Sequence, residues 1–271
     1  MKIAFVGGGN MAGALIGGML AKGYSADAIS VIEVVREARD NLTARYKVRT
    51  SEAPDAATFE AGTLVLAVKP QDMRKALAPL SGRLAQQLVV SIAAGIRLAE
   101  LSRWLGGHTK IVRVMPNTPA LIGAGIAGLF ARPEVSQAER ARAEAILGAV
   151  GRTVWVDDEA LIDAVTAVSG SGPAYVFYFI EALERAGVGL GLAPETAREL
   201  AIHTFAGAAR LAAESAEAPS ILRERVTSKG GTTEAALKVF AAENLAGDIA
   251  RAVQAASDRG AELGDLLGKD G

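Results

Sequence analysis

The sequence contains no cysteine and only two histidines among its 271 residues. The lack of cysteine excludes disulfides, thiol nucleophiles and metal sites built on thiolates, and no metal site of another kind is predicted. Aromatic residues make up 5% of the chain, and acidic and basic residues nearly cancel to a net charge of −1. Because no long basic run occurs either, nucleic acid and anionic membrane surfaces are not expected as partners.

No apolar run is long and unbroken enough to span a bilayer, so a transmembrane segment is not expected. The apolar stretch after Lys2 resembles the start of a signal peptide, but Gly7–Gly9 and Asn10 interrupt it. Half of the residues are hydrophobic, which is enough for a substantial core. The sequence therefore predicts a soluble, cytoplasmic protein.

The most informative segment is the first 33 residues. The apolar run Lys2–Val6 predicts a buried strand, and Gly7, Gly9 and Ala12 follow it with the G-x-G-x-x-A spacing of dinucleotide-binding proteins. The first glycine permits a tight turn, the second lets a pyrophosphate approach the backbone, and the small third residue lets the next helix lie close to the sheet. The phosphates then face a helix N-terminus, where N–H groups and the dipole favour an anion. The predicted cofactor-binding residues here are Gly7, Gly8, Gly9, Asn10, Met11 and Ala12; the alternative is a glycine-rich turn that only packs a helix on a strand.

Strand-like and helix-like segments alternate over the first half of the chain, which predicts a doubly wound α/β domain of the Rossmann type. The predicted strands are Lys2–Val6, Ile29–Glu33, Thr63–Val68, Leu88–Ile92, Lys110–Val114 and Ile126–Phe130, with Thr153–Val156 as a last edge strand. The predicted helices are Met11–Lys22, Arg36–Tyr46, Gln71–Arg83 and Val135–Gly148.

After Asp157 the strand-like runs disappear and alanine-rich sequence with helical periodicity begins. The helices predicted there are Leu161–Val168, Ala174–Ala186, Pro194–Ala213, Thr233–Ala242 and Leu245–Leu263. We therefore predict a dinucleotide-binding domain over 1–157 and an all-helical domain over 158–271. The second domain is very apolar for its size, so part of its surface is expected to be buried against another subunit.

The end of the second predicted strand bears on the choice between NAD and NADP. Glu33 stands where an acidic residue binds the adenosine ribose hydroxyls of NAD, and its charge repels the additional phosphate of NADP. Arg36 and Arg39 follow shortly after, and an arginine there can pair with that phosphate. Both arginines could instead lie on a solvated helix face. The preference stays open, with a slight inclination towards NADP.

Two later strand ends are also expected to face the cofactor, because ligands bind at the carboxyl ends of parallel strands. The first carries Ala67, Val68, Lys69 and Pro70, although a plain strand-to-helix turn with Pro70 at the helix start explains it as well. The second carries Ala93 and Ala94, whose small side chains let a flat nicotinamide ring approach the backbone.

Three further segments make the interpretation specific. Arg113–Ala120 reads RVMPNTPA, Ser169–Tyr175 reads SGSGPAY and Thr227–Leu237 reads TSKGGTTEAAL. Together with GGGNMA and AVKP in this order, they make the whole chain resemble the pyrroline-5-carboxylate reductases. The resemblance implies a dimer, or a larger homo-oligomer, formed through the helical domain, and reduction of a cyclic imino acid, (S)-1-pyrroline-5-carboxylate, to L-proline with NADPH or NADH.

The resemblance also implies roles for individual residues. Met115, Pro116 and Asn117 match positions beside the nicotinamide, and Asn117 also borders the substrate. The substrate-binding positions are Asn117, Ser171, Gly172, Gly230, Gly231, Thr232 and Thr233. Backbone N–H groups of Gly230–Thr233 can bind the substrate carboxylate without any basic side chain, although Thr232 or Thr233 could merely cap the following helix. The Thr233 hydroxyl is the catalytic candidate, orienting the ring nitrogen and relaying a proton.

One residue departs from the family pattern. Lys229 stands where the family loop usually has proline, which would restrict the loop before the carboxylate arrives. We expect Lys229→Pro to lower the KM for the imine or leave it unchanged, and a large increase would show that Lys229 contacts the substrate.

The sequence leaves two alternative functions to consider. A related imine or β-hydroxyacid reductase is disfavoured because the β-hydroxyacid enzymes need a catalytic lysine on the first interdomain helix, and no lysine occurs between Lys110 and Lys229. A non-catalytic nucleotide-sensing module leaves the small-residue loop Ser228–Thr233 unexplained.

Overall fold

The structure, a computed structural model, describes residues 1–269. Contacts divide these residues into two compact units, the first made of Met1–Ser171 together with the described residues from Ala256 onward, and the second of Gly172–Ala255. The first unit is built on one eight-stranded sheet. Its strands are β1 (Ile3–Val6), β2 (Ile29–Ile32), β3 (Arg49–Ser51), β4 (Thr63–Leu66), β5 (Leu88–Ser91), β6 (Ile111–Met115), β7 (Gly125–Ala131) and β8 (Gly151–Trp155).

The order of the strands in the sheet is β3-β2-β1-β4-β5-β6-β7-β8. The order reverses between β1 and β4, which pair in parallel with Ile3 opposite Thr63. Such a reversal opens a crevice at the carboxyl ends of the two strands. The predicted doubly wound Rossmann-type sheet is therefore confirmed.

The strand β7 departs from the parallel pairing of β1–β6, because it runs antiparallel to β6 with Met115 opposite Gly128. Only the short segment Pro116–Ala124 joins the two strands. A parallel neighbour needs a crossover of a dozen or more residues, so this short connection allows only the antiparallel pairing.

Helices cover both faces of the sheet. They are α1 (Asn10–Ala21), α2 (Arg36–Tyr46), α3 (Ala56–Glu60), α4 (Met73–Leu77), α5 (Leu98–Trp104), α6 (Gln137–Leu147) and α7 (Leu161–Val165), followed by a π-helix at Thr166–Gly170. Short 3₁₀ turns occur at Ala26–Ala28, Pro70–Asp72, Ala78–Leu80 and Thr118–Ile122. Successive strand residues enter two separate cores: Phe5 and Val65 lie in one, and Ala4 and Leu64 lie in the other. Burial on both faces explains why these strands are continuously apolar.

Some predicted elements were wrong in detail. The helix predicted over Gln71–Arg83 is broken into a 3₁₀ turn, the short helix α4 and a second 3₁₀ turn. Pro79 explains the break, because proline lacks the N–H that a continuing α-helix would use. The segments β3, α3 and α5 were missed, and the polar β3 lies at the sheet edge, where only one neighbour is available for pairing.

The second unit is helical, as predicted. Its elements are α8 (Gly172–Gly189), α9 (Pro194–Glu214), α10 (Pro219–Arg225), α11 (Thr232–Ala242) and the first part of α12 (Leu245–Lys269). The helix α10 was not predicted. Within the single chain α8, α10 and α11 contain no fully buried residue. Among the described residues, no helix combines the length and the apolar character needed to cross a membrane.

The division between the units does not coincide with the predicted domain boundary at 157/158. The helix α7 and the π-helix belong to the first unit, because Ile162 and Ala167 are buried there. The end of α12 returns to the first unit as well, where Leu267 packs against the second core and Asp265 pairs with Arg97 at 2.8 Å. The ranges 1–157 and 158–271 therefore stay a prediction about domains, and the compact units are a different division of the chain.

Candidate active site

The turn after β1 has the geometry that binding of a pyrophosphate requires. Gly7 has a φ of +98°, and a Cβ there would lie 2.7 Å from the Ala67 carbonyl oxygen, so only glycine fits. A Cβ on Gly9 would meet nothing within 4 Å, which leaves the backbone open to a ligand. Gly9 is the N-cap of α1 and no side chain caps the helix, so its first N–H groups are available to an anion. These residues fit a dinucleotide.

The remaining residues of this segment hold the turn against the sheet. Ala12 is completely buried, as close packing of α1 requires, and Met11 packs against the same core. Asn10, the first residue of α1, is exposed. A groove of about 610 Å³ begins at Gly8, Gly9 and Asn10 and continues between α1 and α2. The cofactor region is therefore open at its phosphate end.

Glu33 lies at the predicted ribose position, and its carboxylate contacts the glycine turn. Its Oε2 accepts a hydrogen bond from the Gly8 N–H at 2.9 Å, and its Oε1 accepts one from the Val35 N–H at 2.8 Å. A Cβ on Gly8 would lie 3.4 Å from the Glu33 Cβ and closer still to Leu42. The two hydrogen bonds fix the carboxylate at the edge of the crevice.

The two arginines after β2 have different surroundings. Arg39 donates from Nη1 to the carbonyl oxygens of Glu33, at 2.7 Å, and Val34, at 3.0 Å, and its side chain is only 17% exposed. It therefore supports the loop and is not presented to a ligand. Arg36 is 87% exposed, and its nearest acidic partner, Asp40, lies 3.9 Å away. Of the two, Arg36 is the cation that a ligand phosphate can reach.

The ends of β4 and β5 reach the same edge of the sheet. Ala67 donates its N–H to the Val6 carbonyl at 2.8 Å, which brings the Ala67–Pro70 segment beside the glycine turn. Lys69 is exposed and precedes the 3₁₀ turn that Pro70 begins. At the end of β5, Ala93 is buried and Ala94 is exposed, so a small apolar surface is available there.

The end of β6 is held by two contacts that the sequence did not indicate. The Asn117 side chain is buried, and its Oδ1 accepts a hydrogen bond from the Ile126 N–H at 3.0 Å, so this oxygen fixes the start of β7. Met115 packs against the π-helix, because a Cβ on Gly170 would lie 2.4 Å from its terminal methyl group. Pro116 between them is buried. The Met115–Asn117 segment, which we call the crevice wall, is therefore held in place by a hydrogen bond and by side-chain packing.

A buried ion-pair network lies beneath this wall. Arg113 is 3% exposed, and it donates to Glu159 Oε1 at 3.2 Å and to Asp163 Oδ1 at 3.1 Å. Glu159 Oε1 also accepts the N–H of Leu98 at 2.7 Å, at the start of α5. The network ties β6 to α7 and α5. An arginine within the apolar run of β6 was the only sequence signal for it.

The Ser169–Pro173 segment is helical, although it contains two glycines and a proline. The Ser171 N–H bonds to the Thr166 carbonyl at 2.8 Å, which is the spacing of a π-helix, and α8 begins at Gly172. The Ser169 hydroxyl donates to the Val165 carbonyl at 3.1 Å. A single π-turn in a longer helical stretch is common at functional sites. Ser171 and Gly172 are partly exposed and follow this turn.

In the second unit, the segment Ser228–Thr233 forms a tight loop before α11. Gly230 has a φ of +75°, and the Gly231 N–H bonds to the Ser228 carbonyl at 3.0 Å. Gly231 is the N-cap of α11, and no side chain caps the helix. The two threonines are therefore not side-chain caps; they are the first two residues of the helix, where N–H groups lack intrahelical partners.

Sequence reasoning missed Glu234 in this loop. Its Oε2 accepts the Gly230 N–H at 2.7 Å, and its Oε1 lies 3.4 Å from the Lys238 Nζ. Because the N–H groups of Gly230 and Gly231 already have partners, the donors that can face an anion belong to the first residues of α11, Thr232 and Thr233 among them. A glutamate at the third helical position was the signal, because it is the usual position for a side chain that reaches back to the loop.

Neither histidine belongs to these regions. His108 is buried before β6, where its Nε2 lies 2.8 Å from the Gln87 carbonyl oxygen, and burial lowers its pKa below the usual 6.5. His203 is exposed on α9. Across residues 1–269, no group of three or more acidic or histidine side chains could hold a metal ion.

The sheet order, the open glycine turn and the acidic residue after β2 define a dinucleotide-binding protein of the Rossmann class. Residues 2–95 match the family described as coenzyme F420-dependent NADP oxidoreductase. Residues 159–263 match the family described as pyrroline-5-carboxylate reductase dimerisation.

Individual relatives are similar to this chain in sequence or structure over nearly its whole length. A pyrroline-5-carboxylate reductase of Pseudomonas aeruginosa is 47% identical over 269 residues, which cover 99% of this chain and 98% of the relative. The solved structure of a pyrroline-5-carboxylate reductase from Coxiella burnetii superposes with a TM-score of 0.93 at 40% identity, covering 97% of this chain and 98% of that one. The Plasmodium falciparum pyrroline carboxylate reductase with NADP bound superposes with a TM-score of 0.84 at 27% identity, with the same coverage. The chain belongs to the pyrroline-5-carboxylate reductase family.

Proposed function

We propose that this chain reduces (S)-1-pyrroline-5-carboxylate to L-proline with NADPH or NADH, the last step of proline biosynthesis. The observation that carries the proposal is the 47% identity to a pyrroline-5-carboxylate reductase over 99% of the chain. The alternatives, another imine or hydroxyacid reductase and a nucleotide-sensing module, have no comparable support, since the two relatives at 47% identity and the solved structure at 40% identity carry this one activity in their names.

On the cofactor side, the residues act by binding and orientation. The Gly7–Ala12 turn binds the pyrophosphate at the start of α1, and Glu33 accepts hydrogen bonds from the ribose hydroxyls. Ala67–Pro70, Ala93, Ala94 and the Met115–Asn117 wall border the nicotinamide. The reduced nicotinamide, when bound, supplies a hydride. Small apolar side chains at this edge exclude water from the reacting ring.

On the substrate side, the N–H groups of Thr232 and Thr233 bind the carboxylate at the start of α11, with Gly230 and Gly231 shaping the loop. Asn117, Ser171 and Gly172 border the ring. A protonated cyclic imine is already an electrophile. A C–H bond forms at the imine carbon, the π electrons of the C=N bond move to the nitrogen, and the proton already on that nitrogen stays there. The Thr233 hydroxyl orients the nitrogen and relays to it the second proton, which the product amine takes up from water.

The loop after β2 supports use of both cofactors. Glu33 is fixed by the Gly8 and Val35 N–H groups at the place where it can bind the ribose hydroxyls of NADH. Arg36 is the exposed cation that can pair with the 2′-phosphate of NADPH, since Arg39 is occupied by Glu33 and Val34.

A homodimer, or a larger homo-oligomer built from it, is proposed for the assembled protein. The exposed apolar side chains of the second unit support it, and Phe177 at 65% exposure and Leu190 at 88% are examples. A mass equal to one chain at micromolar concentration would contradict it. A cytoplasmic location stays a prediction from the sequence.

The direct test is to incubate the purified protein with pyrroline-5-carboxylate and NADPH, or NADH, and follow the absorbance of the reduced nicotinamide. Oxidation that depends on the imine, with proline as the product, is expected. A parallel reaction with 2-hydroxy and 3-hydroxy acids and the oxidised cofactors tests the alternative reductases. If neither cofactor is oxidised in the presence of the imine, the proposal is wrong.

The role of Thr233 has its own test. Thr233→Ala is expected to lower kcat by roughly 10²-fold, the usual contribution of one positioned proton-handling group, and Thr233→Ser is expected to recover most of it. Unchanged turnover in Thr233→Ala would remove the hydroxyl from the mechanism and leave the overall reaction in place.

A further inference from the structure

The Ser228–Thr233 loop, which is proposed to bind the substrate carboxylate, has few residues that restrict its own conformation. Lys229, Gly230 and Gly231 are consecutive, and glycine has the largest conformational freedom of any residue. A Cβ on Gly230 would meet no atom within 4 Å, so packing does not fix this position. Its φ of +75° must therefore be maintained by hydrogen bonds.

Glu234 provides the hydrogen bond that closes the loop. Its carboxylate reaches back from the third position of α11 to the Gly230 N–H, with 2.7 Å between Oε2 and N. A capping glutamate usually bonds to the N-cap residue, which here is Gly231. Here the bonded residue is Gly230, one position before the N-cap. The contact therefore reaches past Gly231 and connects the first glycine of the pair to the helix.

The contact also determines which donors face the substrate. Gly230 donates to Glu234 and Gly231 donates to Ser228, so both N–H groups are directed into the loop. The N–H groups of Thr232 and Thr233 remain at the helix start. A negative side chain beside an anion site would repel the substrate, but Lys238 lies 3.4 Å from the other carboxylate oxygen and offsets that charge.

We propose that Glu234 is a positioning residue that holds the Ser228–Thr233 loop in the shape that binds the substrate carboxylate. The proposal rests on the proposed function. Glu234 acts through the Gly230 backbone and contacts neither the imine nor the cofactor. In this chain it supplies the restraint that a proline at position 229 would otherwise give.

The test compares Glu234→Ala and Glu234→Gln with the wild type. Glu234→Ala is expected to raise the KM for the imine roughly fivefold to tenfold, the size of one charge-assisted hydrogen bond at a partly exposed site, with kcat and the KM for NADPH within about twofold. Glu234→Gln keeps an acceptor oxygen and is expected to stay close to the wild type. Glu243→Ala, an exposed glutamate at the other end of α11, is the matched control.

A double variant tests whether Glu234 and a proline at position 229 restrain the same loop. In Lys229→Pro the loop is already restrained, so adding Glu234→Ala is expected to raise the KM for the imine less than it does alone. An unchanged KM in Glu234→Ala, or an equal change in the KM for NADPH, would overturn the proposal, as would full additivity of the two substitutions.

Failure of the proposal can be separated from failure of the proposed function. If the wild type reduces the imine but Glu234→Ala behaves like it, only the role of Glu234 is wrong. If the wild type does not reduce the imine, hydrogen exchange of the Gly230 amide still reports on the loop. That amide is expected to be protected in the wild type and in Glu234→Gln, and to exchange faster in Glu234→Ala; equal exchange in all three would contradict the restraint itself.

Discussion

The two compact units of the chain differ in where their apolar side chains lie. The sheet unit buries residues such as Phe5 and Leu64 completely, in cores on both faces. The helical unit leaves Phe177 and Tyr178 more than 60% exposed, and only Ala197 and Ala201 of its helix α9 are fully buried. The first unit has a complete hydrophobic core of its own, whereas the second needs another surface to cover its apolar side chains.

The largest effect, on self-association, is expected when a charge replaces an exposed apolar side chain of α8. Phe177→Glu should weaken self-association by roughly thirtyfold or more, the effect of losing a central interface residue, because a buried charge there has no partner. Sedimentation or light scattering over a dilution series should then show the mass fall towards 27.9 kDa at a concentration roughly thirtyfold higher than in the wild type. Glu37→Ala, on the surface of the sheet unit, is the control. An unchanged dissociation midpoint would show that this face is not the interface.

The next prediction compares substitutions of two glycines of the sheet unit, one expected to affect stability and the other cofactor binding. Gly7→Ala should lower the free energy of unfolding by about 1–3 kcal/mol, because its φ is +98° and its Cβ would lie 2.7 Å from the Ala67 carbonyl oxygen. Gly9→Ala should leave stability within about 0.5 kcal/mol, because its Cβ enters open space, but should raise the KM for the cofactor. Chemical denaturation and steady-state kinetics measure the two quantities. A KM that Gly9→Ala leaves unchanged would argue against the phosphate position.

A smaller effect is expected at the cofactor edge. Arg36→Ala should raise the KM for NADPH by roughly tenfold and leave the KM for NADH within twofold, because only NADPH carries the phosphate that this exposed cation can pair with. Arg74→Ala, on α4, serves as the comparison variant. Equal changes for NADPH and NADH would mean that Arg36 acts on the loop and not on the phosphate.

The smallest effect concerns pH. Burial lowers the pKa of His108 below 6.5, so the unfolded chain takes up a proton at this residue at a higher pH than the folded chain does. The stability that this difference provides is complete above pH 6.5 and is lost as the pH falls below it. Replacing the ring by His108→Asn should therefore flatten the fall in stability between pH 7 and pH 5 by less than about 1 kcal/mol. His203→Asn, at an exposed site, is the control; a steeper fall in His108→Asn would reverse the sign of the argument.

The sequence predicted those parts of the fold that depend on local pattern. The apolar runs of β1, β4 and β5 were found because burial on both faces requires them to be apolar throughout. The glycine turn was found because each small residue of the G-x-G-x-x-A spacing meets a specific requirement of a phosphate-binding turn. The polar edge strand β3 carries no such pattern, and the break at Pro79 was missed because the flanking residues still have a helical period.

The parts of the site that were missed depend on contacts between distant residues or on side-chain direction. Arg113 was visible as a charge in an apolar strand, but its partners Glu159 and Asp163 are far away in sequence and meet it only in the folded chain. Glu234 lies within the predicted helix Thr233–Ala242, and a glutamate near a helix start is only a general signal for a side chain that reaches back. That it bonds to the Gly230 N–H depends on the backbone of the loop.

The return of α12 to the sheet unit has a consequence for how the chain folds during its synthesis. Leu267 packs against the second core and Asp265 pairs with Arg97, yet both leave the ribosome only after the whole of Gly172–Ala255. The sheet unit therefore cannot complete its packing as a nascent N-terminal domain until Asp265 and Leu267 have been synthesised. A fragment cut at the end of the last strand would lack this final segment and leave its apolar docking surface open.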